Sequence, residues 1–261
     1  MNDTDFLIRT GAPITAASLP WFPILMRDYE LFLNAKPIFT LRLSTLPPSY
    51  AALDFLNAVF QMDTDFAAAG KPSVLFQTLL SLYALALRLP REQFFSGVRF
   101  KKTENGFSFE GISVGDVFLF SFFLSTKIRS LIAEQNGILL PDEADNAEIM
   151  EAYSQKLKTN QNQNRLHFST DDLIASVAFQ SRVRESEILS DWTVREFEAR
   201  RSAIDRDKNH KIYAQAELSG FVKFKNGNPA PSWCFDLRDE RFGTVSTSEI
   251  TSKLDGNSNL S

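Results

Sequence analysis

Apolar positions dominate the first half of the chain, and their spacing changes along it. Residues 1–48 carry prolines at 13, 20, 23, 37, 47 and 48 between short apolar runs. Proline removes a backbone donor and interrupts regular elements, so this stretch is expected to be irregular. Its one regular piece is a short strand over Ile38–Thr45 (IFTLRLST), where apolar and polar residues partly alternate. The segment 49–140 is the apolar zone, with helices predicted at about 49–62 and 73–89. Val98–Gly111 (VRFKKTENGFSFEG) reads as a hairpin. Its aromatic-bearing arms flank Glu104-Asn105-Gly106, and Asn-Gly readily adopts the positive φ of a tight turn.

Three helix starts share one logic, a hydroxyl at the cap, a carboxylate three residues on and apolar residues on either side. They are Ser113 with Asp116 between Ile112 and Val117, Ser169 with Asp172 between Phe168 and Leu173, and Thr193 with Glu196 between Trp192 and Phe197. They predict helices at about 114–135, 170–180 and 194–218, the third ending before Gly220. Residues 142–168 are polar, and Thr159–Asn164 (TNQNQN) is the expected hinge. After Gly220, Phe221–Phe224 reads as a strand, Asn226–Pro229 as a turn and Trp233–Phe235 as a returning apolar arm.

The fold expected is therefore mainly α with minor β. An apolar helical domain with a β-hairpin spans 49–158, and 159–168 is a linker. A second helical domain over 169–242 ends in a small β element, and 243–261 is a disordered tail.

Composition narrows the functional classes. Of 261 residues, 44% are hydrophobic and 23% charged, as in a folded water-exposed protein. The net charge of −4 offers no global basic field for nucleic acid or anionic membrane. The single cysteine, Cys234, excludes an internal disulfide and any multi-cysteine zinc site. Residues 1–9 contain Asp3 and Asp5, unlike an export signal. Pro72–Leu87 and Val117–Thr126 are shorter than the roughly 20 apolar residues a membrane helix needs. A cytoplasmic protein is expected.

Candidate chemistry is sparse. His167 and His210 are the only histidines, neither at metal spacing with a second ligand. Cys234 sits between Trp233 and Phe235, where a small packed side chain fits better than a nucleophile. Asp142, Glu143 and Asp145 lack the loop spacing of a calcium site. There is no phosphate-cradling glycine loop and no nucleophile elbow. The reading is a non-enzyme without cofactor or metal. Between Arg182 and Lys211, eight Lys/Arg and seven Asp/Glu alternate at helical spacing, which suits ion pairing along a solvated or partner-facing helix. The other unusual feature is nine phenylalanines over 94–123. If Val117–Thr126 is helical, Phe118 and Phe122 share a face, and Phe118, Phe122 and Phe123 are expected to be mostly core.

Several segments resemble one family. Gln135-Asn136-Gly137-Ile138, then Pro141-Asp142-Glu143 and Asp145-Asn146-Ala147-Glu148, are similar to a segment of tail-module proteins from phages and prophages of Gram-positive bacteria. Asp191-Trp192-Thr193-Val194-Arg195-Glu196-Phe197-Glu198, Ala203-Ile204-Asp205-Arg206, and the run from Ala216 to Pro229 resemble the same group. Within such modules, the helical character is similar to tail assembly chaperones. The resemblance implies a protein in the host cytoplasm that binds the tape-measure protein and tail-tube subunits before the tail polymerises, with a homo-oligomer possible. A baseplate or tail-completion part of the virion is the alternative, and a host-directed phage effector a third. The expected partner surface is rimmed by Arg195, Arg201, Lys223 and Lys225, with Trp233 as an aromatic anchor.

Overall fold

A computed structural model describes residues 3–71, 73–103, 106–141 and 169–219. The protein is mainly helical, with two small antiparallel sheets among the described residues. It divides into two units, one of residues 1–143 and 168–201, the other of residues 144–167 and 202–261.

In the first unit, α1 (Asp3–Thr10) leads into a hairpin of β1 (Ile14–Ala16) and β2 (Leu19–Trp21). Its turn places Ala17 at φ 50° and Ser18 at φ 62°. Helix α2 (Tyr29–Phe39) follows, with Pro37 inside its last turn. The strand expected at Ile38–Thr45 is not formed. Ile38 and Phe39 end α2, and Leu43–Thr45 is a 3₁₀ turn. The cause is tertiary: the Phe39 ring is fully buried, and its carbonyl accepts from Nε and Nη2 of Arg129 at 3.1 and 2.8 Å. The N-terminal 48 residues thus hold two helices and a hairpin, where an irregular segment was expected.

Next come α3 (Pro48–Ala51), α4 (Phe55–Ala68), α5 (Leu75–Ala86) and α6 (Arg91–Ser96). Asp54 caps α4 by accepting from the Asn57 amide at 3.2 Å. Asp63 serves α5 from a neighbouring helix, accepting from the amides of Leu75 and Phe76 at 3.2 and 2.7 Å. Helix starts need such acceptors because their first amides have no partner within the helix.

The second sheet has the order β3-β4-β5, from Val98–Thr103, Gly106–Val114 and Val117–Phe120. Its first two strands form the hairpin expected from Asn105-Gly106. The third corrects the expected helix over 114–135. Gly115 takes φ 59° in a two-residue turn, so Val114 faces Val117 and the apolar run pairs with β4. Ser113, expected as a cap, instead accepts from Arg99 Nε at 3.1 Å. Helix begins only at α7 (Ser121–Phe123), continues as a π turn (Leu124–Ile128) and ends as α8 (Arg129–Asn136), closed by Gly137 at φ 66°.

Helices α9 (Thr170–Ser181), α10 (Glu185–Asp191) and α11 (Val194–Leu218) complete the described chain. The capping box at Ser169 and Asp172 forms as expected, and Thr193 Oγ1 accepts from the Glu196 amide at 3.1 Å. Trp192 and Phe197, expected to flank that start, are both buried. The second domain expected over 169–242 is not one unit, since residues 168–201 group with the N-terminal residues. The physical links are backbone hydrogen bonds from Met26 N to Trp192 O (2.9 Å) and Val194 N to Ile24 O (2.8 Å). Of the second unit, residues 202–218 continue α11 and carry the Lys211–Asp207 pair at 2.6 Å.

Candidate functional site

Two segments distant in the chain, 135–138 and 191–198, meet at one place in the first unit. Asn136 Oδ1 accepts from Ile24 N at 2.9 Å, and Gln135 Nε2 donates to Trp21 O at 2.9 Å. Trp192 and Val194 hold the same Trp21–Met26 stretch from the other sequence segment. Arg195 joins them by donating from Nη1 to Glu134 O, with its Cγ against Gly137. These side chains are buried or half-buried and bind backbone of their own chain. Their positions give them a part in holding the Trp21–Met26 backbone in place.

Arg195 also lines a cleft of about 560 Å³ with Arg9, Arg88, Asp191 and Glu196. Arg88 is held over the Phe22 ring at 4.2 Å, and Glu196 pairs with Arg200 at 3.7 Å. Three cations face two carboxylates there, without histidine, cysteine or a paired nucleophile and base. Arg201 pairs with Glu198 at 2.9 Å one turn further along α11. Glu198 also accepts from the Tyr29 hydroxyl, and burial with that bond pushes the phenol well above its ordinary range. Arg195 and Arg201 therefore share a helix, and each has a partner in its own unit. Lys223, Lys225 and Trp233, with the small β element expected around them, lie outside the described residues.

A second cluster of polar side chains, Asp54, Asn57, Ser121 and Ser125, is likewise structural. Asp54 Oδ1 accepts from the hydroxyls of Ser121 and Ser125 at 2.7 and 2.8 Å. The Asn57 amide meets the Phe109 backbone twice, accepting at 2.8 Å and donating at 3.0 Å. This arrangement fixes α4 against β4 and the start of α7. Asp54 is the one ionisable side chain of these four. Among the described residues, no group of three His, Cys, Asp or Glu could hold a metal, and no helix is long and apolar enough to cross a membrane.

The aromatic surface stands apart. Phe60, Phe76, Phe100 and Phe109 form a chain of rings with centroids 5.1–6.4 Å apart beneath the sheet. Phe118 and Phe120 form an edge-to-face pair at 4.8 Å. Phe120 is 62% exposed and Phe122 is 70% exposed. The expectation that Phe118, Phe122 and Phe123 are mostly core needs correction. Phe122 is open and the other two are half-buried, because residues 117–120 are strand and Ser121, Leu124 and Ser125 take the inward side of the following turn. Sequence reasoning missed Phe120 as a surface residue for the same cause. The available signal was Gly115-Asp116 between Val114 and Val117, a hairpin turn hidden inside a capping pattern.

No protein-family model matches this chain, and neither a curated protein nor a solved structure matches it significantly.

Proposed function

We propose that this protein is a non-enzymatic assembly factor that works by protein–protein contact. The observation that carries this is the exposed pair Phe120 and Phe122 at the end of the β3-β4-β5 sheet, beside the half-buried Phe118. Burying an aromatic side chain contributes roughly 1.5–3 kcal/mol, so two exposed rings at one place favour a partner that covers them. The sequence resemblance adds the setting, a tail assembly chaperone in the host cytoplasm that binds the tape-measure protein and tail-tube subunits.

The test is capture of the tape-measure protein by the paired substitution Phe120→Ser with Phe122→Ser. Both side chains are solvent-facing, so the far-ultraviolet spectrum should be unchanged while capture falls at least about tenfold, a loss of roughly 1.4 kcal/mol. Unchanged capture by a folded double variant refutes the surface. A chaperone is also absent from finished virions, whereas recovery in purified particles would make the protein a structural part.

A further inference from the structure

We infer that the cleft beside the start of α11 binds a small organic phosphate ester, held by Arg9, Arg88 and Arg195. The cleft lies wholly within the first unit and shares no residue with the Phe120–Phe122 surface, so this is a second binding property of the protein.

Each arginine comes from a different element. Arg9 is in the last turn of α1, Arg88 follows the end of α5, and Arg195 lies in the first turn of α11. Among the described residues, none of the three forms an ion pair. The Arg88 guanidinium stacks on the Phe22 ring at 4.2 Å, which leaves the N–H donors in its own plane open. Arg195 spends one N–H on the Glu134 carbonyl, a neutral acceptor, and keeps further donors. Nearby carboxylates are engaged elsewhere. Glu196 on the cleft wall pairs with Arg200 at 3.7 Å. Asp28, in a smaller cavity that Arg88 also lines, pairs with Arg27 at 3.5 Å. Of the carboxylates lining the cleft, Asp191 alone then remains to offset three guanidinium groups, in a chain whose net charge is −4.

That excess selects an anion, and the arrangement selects its class. A phosphate monoester is largely dianionic at neutral pH, and its terminal oxygens accept from guanidinium groups that arrive from different sides. The two oxygens of a carboxylate fill a single fork. The first turn of α11 adds the positive end of a 25-residue helix. At about 560 Å³ the cleft is far larger than a phosphate group and falls within the roughly 300–1,000 Å³ of small-molecule sites. Ile8, Leu25 and Ala199 also line it and offer apolar surface to an organic part. A nucleic-acid backbone calls for a basic stripe, whereas these cations form one concave cluster.

Arg88 makes the inference testable without unfolding the protein. It stands at φ 53° just past a helix end, where Leu89 N donates to Ala84 O at 3.1 Å, and glycine takes this position without strain. Arg88→Gly therefore removes a guanidinium while relaxing the backbone. The probe is phenyl phosphate, titrated into the full chain at neutral pH and low salt by calorimetry. Saturable one-to-one binding is expected with a Kd of about 1 mM or tighter. Phenyl sulfate, which has a similar shape and one negative charge, should bind about fivefold more weakly, and so should inorganic phosphate, which lacks the ring. Arg88→Gly should lose about tenfold in affinity with Tm unchanged or raised, and Arg9→Gln about threefold. Lys102→Gln, an equal loss of charge on β3, should leave the affinity unchanged. Absence of saturable binding up to roughly 10 mM phenyl phosphate overturns the inference. So does full affinity in both arginine variants, or an equal loss in Lys102→Gln. Phthalate binding as tightly as phenyl phosphate would make this a carboxylate site. A single-stranded oligonucleotide displacing the probe at micromolar concentration would make it a nucleic-acid site. Either result overturns the phosphate-ester assignment.

Discussion

Replacing Asn57 with leucine removes one side chain that joins three elements. Its amide accepts from Phe109 N at 2.8 Å and donates to Phe109 O at 3.0 Å, so it pairs with β4 as another strand would. It also donates to Asp54 Oδ2 at 2.7 Å and to Ser121 Oγ at 3.1 Å. Leucine has similar volume, so little of the effect comes from a cavity. What remains is one backbone donor and one acceptor at Phe109 without partners, each worth about 1–3 kcal/mol when buried. Asn57 is only half-buried and water can reach part of the site, which places the expected loss at about 2–4 kcal/mol. For a unit of this size that is roughly 5–15 °C in Tm. Urea unfolding followed by circular dichroism measures the loss, and hydrogen exchange at the Phe109 amide locates it. A loss under about 0.5 kcal/mol, or unchanged exchange at Phe109, would show that this amide does not tie α4 to the sheet.

Gly111→Ala should cost about 1–3 kcal/mol and loosen β5 first, because the added Cβ meets Leu119 O at 2.1 Å and the Phe118 ring at 2.9 Å; exchange rising at Leu119 before other sheet amides checks this. Ser18→Gly should stabilise by roughly 0.5–1 kcal/mol, since Ser18 sits at φ 62° where glycine is unstrained; a lower Tm would refute it. The Ser169 hydroxyl and amide hold the Asp172 carboxylate below its ordinary value of 3.8. A lowered pKa gives stability that is complete above 3.8 and is lost as pH falls through the folded-state value. Asp172→Asn should therefore flatten the acid limb of the melting curve below that pH while leaving its shape near neutrality unchanged. Identical acid limbs in the two proteins would remove this carboxylate from the pH response.

The parts of the fold legible in the residues were those whose cause is local. Thr193 and Ser169 cap the helices they were expected to start, and the arms expected to form a hairpin over 98–111 pair as antiparallel strands, because each pattern acts over a short stretch of chain. The hairpin at Ala17-Ser18 was missed because neither residue signals a positive φ. Helix α2 was missed because Pro37 and the apolar alternation after it read as a break followed by a strand. What overrides that reading is Arg129, ninety residues away, holding the Phe39 and Leu41 carbonyls.

The candidate surface divides in the same way. The excess of phenylalanine over 94–123 and the mixed charges of α11 are sequence properties, and the ion pairs at Arg200, Arg201 and Lys211 lie at the expected helical spacings. Which phenylalanines face water is not a sequence property. It depends on whether residues 117–120 pair with β4 or wind into helix, and the same apolar run satisfies both local patterns. The choice is made by Leu119 finding its place opposite Ile112 in the core, and by Asp54 drawing in the hydroxyls of Ser121 and Ser125 where the helix then starts. Local sequence determined that an aromatic, hairpin-bearing helical protein would form. Only contacts between residues far apart in the chain decided that Phe120 and Phe122 would be left outside it.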